Sequence, residues 1–174
     1  MLLVEATWME IEAYLATSRA IVMPIGSVEQ HGPMGLIGTD AMCADIIARR
    51  AGDLGGFLVG PTLALGMAQS HLAFPGTISL KPSTLMAVVQ DVVSSLSNAG
   101  FQRIVFLNGH GGNIATVAAA FGEIHAQRSL QPEPDRLELA LKSWFDLPGI
   151  RKLLAEMYPT GHGSHATPSE IAIT

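Results

Sequence analysis

Arg103-Ile104-Val105-Phe106-Leu107 runs straight into Asn108-Gly109-His110-Gly111-Gly112-Asn113, and an alanine-rich segment follows to Arg128. The apolar, β-branched run predicts a buried strand, the glycine-rich hexapeptide a loop, and the alanine-rich stretch a helix. The same order stands upstream. Ala20-Ile21-Val22-Met23-Pro24-Ile25 predicts a strand and Gly26-Ser27-Val28-Glu29-Gln30-His31-Gly32-Pro33 a loop. A helix then starts near Thr39-Asp40 and ends at Gly52 or Gly55-Gly56. Residues 57–60 predict a second short strand, with a long uncharged loop after it through His71 and Phe74-Pro75-Gly76-Thr77. Ser83 is placed to cap a helix carrying Leu85, Val88, Val89, Val92, Val93 and Leu96 at helical spacing, with Gly100 as its stop. At the N-terminus, Thr7-Trp8-Met9-Glu10 reads as a capping box that opens a helix to Thr17. A polar turn over 131–135, a strand over 137–145 and a helix over 150–158 complete the order. Strands alternating with helices predict an α/β fold: a three-layer, doubly wound, mostly parallel sheet with helices on both faces. No repeat or linker divides residues 1–174, so one domain is expected.

Composition narrows the function classes. Charged residues make up 14% of the 174 residues, against about 25% in ordinary soluble domains. That excludes a disordered tail and fits a well-buried unit. The mean hydropathy of +0.34 raises the possibility of a membrane span. Residues 55–80 hold no charge, but glycines and prolines interrupt them, whereas a spanning helix needs roughly 20 continuous apolar residues. No membrane partner is expected. No secretion signal is visible, which predicts a cytoplasmic protein. The net charge of −5 argues against nucleic acid as a partner. A single cysteine, Cys43, excludes an internal disulfide and a thiolate cluster.

The chemistry collects in loops. His31, His71, His110, His162 and His165 all sit in segments rich in glycine, proline or serine. The loops of His31 and His110 each follow a predicted strand, so both emerge on one edge of the sheet. In an extended segment Glu29 and His31 project to one side. Asp40, at a predicted helix start, has an ordinary reading as an N-cap. The 108–113 loop could be a plain turn capped by Asn113, or a phosphate loop, although no Gly-Lys-Ser/Thr ending is present. Thr167-Pro168-Ser169-Glu170 is a capping box, which accounts for Glu170 structurally.

Pooled, Glu29, His31, Asp40, His110 and Glu170 offer nitrogen and oxygen donors, a set suited to Zn or Mn rather than to a soft metal. Three carboxylates would balance three of the four charges on two divalent ions. A bridging hydroxide would balance the fourth, the resting state of a hydrolytic dinuclear metal centre.

These residues resemble the creatininase (creatinine amidohydrolase) family. The resemblance lies in the segment from Gly26 through Asp40, His71-Leu72-Ala73-Phe74-Pro75-Gly76-Thr77, Gly100-Phe101, Asn108 to Asn113, and His165 with Glu170. It implies a creatininase-like fold and a metal-dependent amidohydrolase acting on carbon–nitrogen bonds other than peptide bonds, with an amide, lactam or formamide small molecule as substrate. The resemblance makes Glu29 and His110 ligands of one metal, His31 a ligand of the other, and Asp40 the bridge. It makes His165 the group that handles protons. His71, Gly109, Gly111 and Gly112 fall in substrate-contact or supporting positions. Gly111 and Gly112 stand where true creatininases carry an aromatic residue and a glutamate. Glu170 then replaces that glutamate, catalytically and as a ligand, in a glycine-rich branch whose substrate is not creatinine. Met34 and Ser164 also depart from the pattern. The family forms homo-oligomers, often hexamers, and its members continue well past the Glu170 motif, so a C-terminally incomplete domain is expected. The alternative reading is a non-catalytic metal- or ligand-binding module on the same scaffold. The wall over the metals is expected from residues 67–71 and 144–146.

Overall fold

In the computed structural model, which describes residues 1–131 and 136–174, the quoted strand is one of the two inner strands of the sheet. Strand β1 (Ala20–Ile25), β2 (Leu58–Val59), β3 (Arg103–Asn108) and β4 (Glu138–Ser143) form one sheet in the order β2-β1-β3-β4. Every pairing is parallel, with Ile21 beside Ile104 and Val105 beside Ala140. The six helices among the described residues are α1 (Trp8–Leu15), α2 (Thr39–Gly55), α3 (Pro82–Ala99), α4 (Asn113–Arg128), α5 (Pro148–Met157) and α6 (Pro168–Ile173).

Strand alternation assigns the two faces. Ile21, Met23 and Ile25 join Ile104 and Phe106 on one side, against Leu85, Val89, Val93 and Leu96 of α3 and Val117, Phe121 and Ile124 of α4. Phe106 and Phe121 meet at a ring separation of 5.6 Å. Val22 and Leu107 turn to the other side and meet Cys43 and Ala48 of α2, with Trp144. Helices therefore cover both faces. Because β1 pairs with both β2 and β3, the chain changes direction in the sheet between β1 and β3. A crevice opens beyond the carboxyl ends of the strands at such a switch point.

Several boundaries differ from the sequence expectation, each for a local reason. The α3 cap is Lys81, not Ser83; Pro82 takes the first helical position, where a fixed φ and a missing N–H do no harm. Gly38 precedes α2 as its cap and Gly112 precedes α4, so neither Asp40 nor Asn113 is an N-cap. Strand β2 is confined to Leu58–Val59. Strand β4 ends at Ser143, and Trp144–Asp146 forms a 3₁₀ turn where the strand was expected to continue. Of the turn expected over 131–135, residues 132–135 lie outside the described residues. The capping boxes at Thr7 and Thr167 form as read, as does the left-handed stop at Gly100 with φ 109°. Among the described residues no helix is long and apolar enough to cross a membrane.

The uncharged loop between β2 and α3 is held by backbone and side-chain bonds. Ile78 N–H donates to Val28, Leu80 N–H to Gly66, and Ala68 N–H to Ser79 Oγ. Buried Asn113 ties three segments together. Its Oδ1 accepts from Met67 N–H at 2.9 Å, and its Nδ2 donates to the Gly26 carbonyl at 2.9 Å and to Asn108.

Phe106 is fully buried against Phe121, so Phe106→Ala should lower the unfolding free energy by about 3–5 kcal/mol in urea titrations. Trp8 is 74% exposed, so Trp8→Ala should stay within about 0.5 kcal/mol of the parent.

Candidate metal centre

Two strand ends and two helix starts deliver the polar side chains to one crevice. The loop after β1 supplies Glu29 and His31, the first turn of α2 supplies Asp40, the loop after β3 supplies His110, and the first turn of α6 supplies Glu170. All five are buried although all are ionisable. Burying ionisable groups is costly unless they are paired or hold an ion.

Asp40 is the hub. Its Oδ1 lies 3.0 Å from Nε2 of His31 and its Oδ2 lies 3.0 Å from Nδ1 of His110. Ser27 Oγ sits 2.9 Å from Asp40 Oδ2 and 3.0 Å from Glu29 Oε2. His110 Nε2 is 3.2 Å from Glu29 Oε2 and 3.0 Å from the Met67 carbonyl. The remaining nitrogen of His31, Nδ1, faces the carbonyl of Glu29 at 3.1 Å. Each of these imidazoles thus donates one ring N–H to a backbone carbonyl and turns its other nitrogen to Asp40. If both rings are neutral, two nitrogen lone pairs face carboxylate oxygens. That arrangement is favourable only with a proton on each nitrogen or a cation between the groups.

Without a cation the charges settle on the side chains. Burial pushes the Asp40 carboxyl up, but hydrogen bonds from His110 and His31 outweigh it and hold it down to about 2. Burial likewise lowers the His31 imidazole, yet Asp40 lifts it to about 9. His110 is raised for the same reason. Glu29 is raised because burial disfavours its charged form. Its Oε1 is buried with no hydrogen-bond partner, while His71 Nε2 and His165 Nδ1 each approach it to 3.6 Å.

The donor set fits divalent ions. Ligand atoms at about 2.0–2.2 Å from a shared ion stand roughly 3.0–3.5 Å from one another. The contacts of Asp40 with His31 Nε2 and His110 Nδ1, both at 3.0 Å, have that spacing. Three groups could each hold an ion: Glu29, Asp40 and His110; His31, Asp40 and Glu170; and Glu29, His31 and His165. A ring nitrogen held by a carbonyl while its partner nitrogen faces the site is the arrangement that orients metal-binding histidines. Cys43 lies close by, but burial pushes its thiol up to about 12, so it offers no thiolate.

The residues singled out in the sequence converge here. The capping box engages Glu170 Oε2, yet the same carboxyl also faces His31 and Asp40. His165 packs between His31 and His71, 4.8 Å from each ring. The next residue, Ala166, holds φ 52°, a left-handed backbone that a non-glycine residue adopts at a cost. The three glycines separate. A Cβ on Gly109 would strike the Asp40 carbonyl and one on Gly112 the His110 ring, whereas Gly111 faces open space.

A cavity of about 500 Å³ opens over Asp40, His110, His165 and Glu170. Phe145 and Asp146 line it as expected, while Trp144 and residues 67–71 are not among its lining residues. Its far wall comes from α5, through Arg151, Leu154 and Ala155, and from Tyr158 just past the end of that helix. Sequence reading identified this helix without assigning it to the site. The signal was present, since Arg151, Leu154 and Ala155 repeat as i, i+3 and i+4 and so share one helix face. Gln30 carried no signal of its own in the sequence, since alternation would place it opposite Glu29 and His31; the loop does not alternate, and Gln30 reaches both His71 and His165.

The family model described as creatinine amidohydrolase matches residues 4–174. Creatinine amidohydrolase of Pseudomonas putida is 28% identical over 163 residues, covering 90% of this chain and 62% of the relative. The mycofactocin precursor peptide peptidase of Mycobacterium tuberculosis is 36% identical over 122 residues, covering 64% of this chain and 48% of the relative. This chain therefore spans about half to two thirds of the length of these curated relatives. A solved structure titled creatininase Mn superposes with a TM-score of 0.84 at 27% identity, covering 97% of this chain and 68% of that one.

Gly109→Ala should lower the unfolding free energy by about 1–3 kcal/mol, because its methyl group would displace the start of α2. Gly111→Ala should change it by less than about 0.5 kcal/mol. Thermal or urea unfolding of the two variants side by side checks the difference.

Proposed function

The chain is a member of the creatininase family, and from that premise we propose that it is a metal-dependent hydrolase of carbon–nitrogen bonds. The observation that carries this is the Asp40 carboxylate held between two imidazoles, each fixed from behind by a backbone carbonyl. Glu29 and His110 would hold one divalent ion, His31 and Glu170 the other, and Asp40 would bridge them. Zn and Mn suit this nitrogen and oxygen set. When bound, such ions acidify water and polarise a carbonyl.

The protein side chains supply the rest. Amide hydrolysis adds water to the carbonyl carbon, breaks the carbon–nitrogen bond and delivers a proton to the departing nitrogen. His165 is partly exposed at the cavity beside His31, where it can present an N–H to that nitrogen. The capping box fixes Glu170 through two donors from Thr167, so its carboxyl enters the site at a defined angle. Gly111 leaves the cavity floor open.

The cavity favours a small amide with an apolar portion against Phe145, Leu154 and Tyr158, and a polar end near Arg151, which pairs with Asp146 at 2.7 Å. The expected restriction to bonds other than peptide bonds is narrower than the relatives warrant, since one is named as a peptide peptidase. A short modified peptide is therefore a second candidate substrate. We also propose self-association, because Met34, Leu36, Leu72, Phe74 and Ile78 leave apolar side chains exposed.

Elemental analysis of purified protein should find about two divalent ions per chain. Asp40→Ala and His110→Ala should lose metal and amide hydrolysis together while circular dichroism shows the fold retained. Full metal content in both variants would refute the proposed ligands. Metal occupancy without turnover of any amide, lactam, formamide or modified peptide would instead favour a binding module.

A further inference from the structure

Gln30 lies between two histidines, and its hydrogen bonds leave each of them one place for its proton. Its Oε1 accepts from Gly32 N–H at 2.8 Å. A backbone N–H can only donate, so the two ends of the carboxamide are distinguished. The amide nitrogen then lies 2.9 Å from Nε2 of His165 and 3.1 Å from Nδ1 of His71. An NH₂ group offers two hydrogens and no lone pair for accepting, so it donates one to each ring. Both of those ring nitrogens must be unprotonated. Each neutral ring therefore carries its hydrogen on the opposite nitrogen, Nδ1 in His165 and Nε2 in His71. These are the two nitrogens that face Glu29 Oε1, each at 3.6 Å.

We infer that Gln30 is a positioning residue that sets the tautomers of His165 and His71, turning one N–H of each toward the centre at Glu29. At 3.6 Å the two N–H groups are directed at the space around Oε1 rather than spent on it. His165 is held in the Nδ1–H form, the minority tautomer of free histidine, which it would not keep unaided. The inference rests on the proposed hydrolase reading for its use: a preoriented N–H on His165 suits proton delivery to the departing nitrogen, and one on His71 suits the negative charge that develops when an amide carbonyl is attacked. The tautomers themselves depend only on the hydrogen bonds of Gln30.

Long-range proton–nitrogen correlation spectra of the isotopically labelled full chain test this, recorded metal-free and zinc-loaded at mildly alkaline pH. They separate protonated from unprotonated ring nitrogens, and His71→Gln and His165→Gln assign the signals. The parent protein should show His165 protonated at Nδ1 and His71 at Nε2. In Gln30→Glu a carboxylate accepts where the amide donated, so both hydrogens should move, to Nε2 of His165 and Nδ1 of His71. In Gln30→Met, of similar volume and without polar atoms, both rings should return to a mixture dominated by Nε2–H. An Nε2–H His165 in the parent, or spectra unchanged in both variants, would overturn the inference. If the tautomers are as stated but the chain binds no divalent ion, the hydrolase reading falls and the role of Gln30 stands.

Discussion

The contact between the Asp40 carboxylate and the imidazoles of His31 and His110 is the constraint around which the rest of the chain is arranged. An aspartate buried this deeply survives only if its charge is answered, and both of its oxygens face a ring nitrogen at 3.0 Å. The answer comes from two different loops. His31 follows β1 and His110 follows β3, so the pairing fixes how those strand ends stand to one another and to the first turn of α2. Ser27 adds a hydroxyl shared between Asp40 and Glu29, which keeps a second buried carboxylate in register with the first.

The sheet supplies the place, and a few polar side chains supply the accuracy. In the order β2-β1-β3-β4 the crevice falls between β1 and β3, so both loops must open into it. Asn113 then joins the Gly26 carbonyl, Met67 N–H and Asn108 in one buried network. Gly109 lets the β3 loop approach the Asp40 backbone closely, a position where a methyl group has no room. The result is a hydrogen-bonded floor under a wall formed by α5, whose Arg151, Leu154 and Ala155 meet the cavity from one helix face, with Tyr158 just beyond it.

This division between floor and wall gives the similarity to creatininases a physical meaning. The floor uses the segments that carry the resemblance, and the fold superposes closely on solved creatininase structures. Gly111 leaves open space at the site, whereas Gly112 packs tightly against the His110 ring and the Met67 carbonyl. Glu170 brings its carboxyl in from α6, anchored by its own capping box. One group thus serves a helix end and the site at once, because the cap engages Oε2 while the carboxyl still reaches His31 and Asp40.

The sequence by itself determined the layers and the cast of residues. Apolar runs of strand length alternate with helical periodicity, and that pattern is local, so β1, β3, α2, α3 and α4 could be read residue by residue. His31 and His110 were legible because histidines in glycine-rich loops after buried strands have few structural uses, whereas Asp40, His165 and Glu170 took their site roles from the resemblance to creatininases. Where local rules competed, the sequence misled. Asp40 and Asn113 sit where caps are common, but the turns begin one or two residues earlier and release both side chains inward. Only the tertiary structure decided which nitrogen of each histidine faces the site, that α5 closes the cavity, and that Gln30 turns back to join His71 and His165. These depend on contacts between residues as far apart as 135 positions, Gln30 with His165 among them. Pattern along a chain records which face a residue occupies, whereas the direction of a hydrogen bond is set by the partner that folding brings to it.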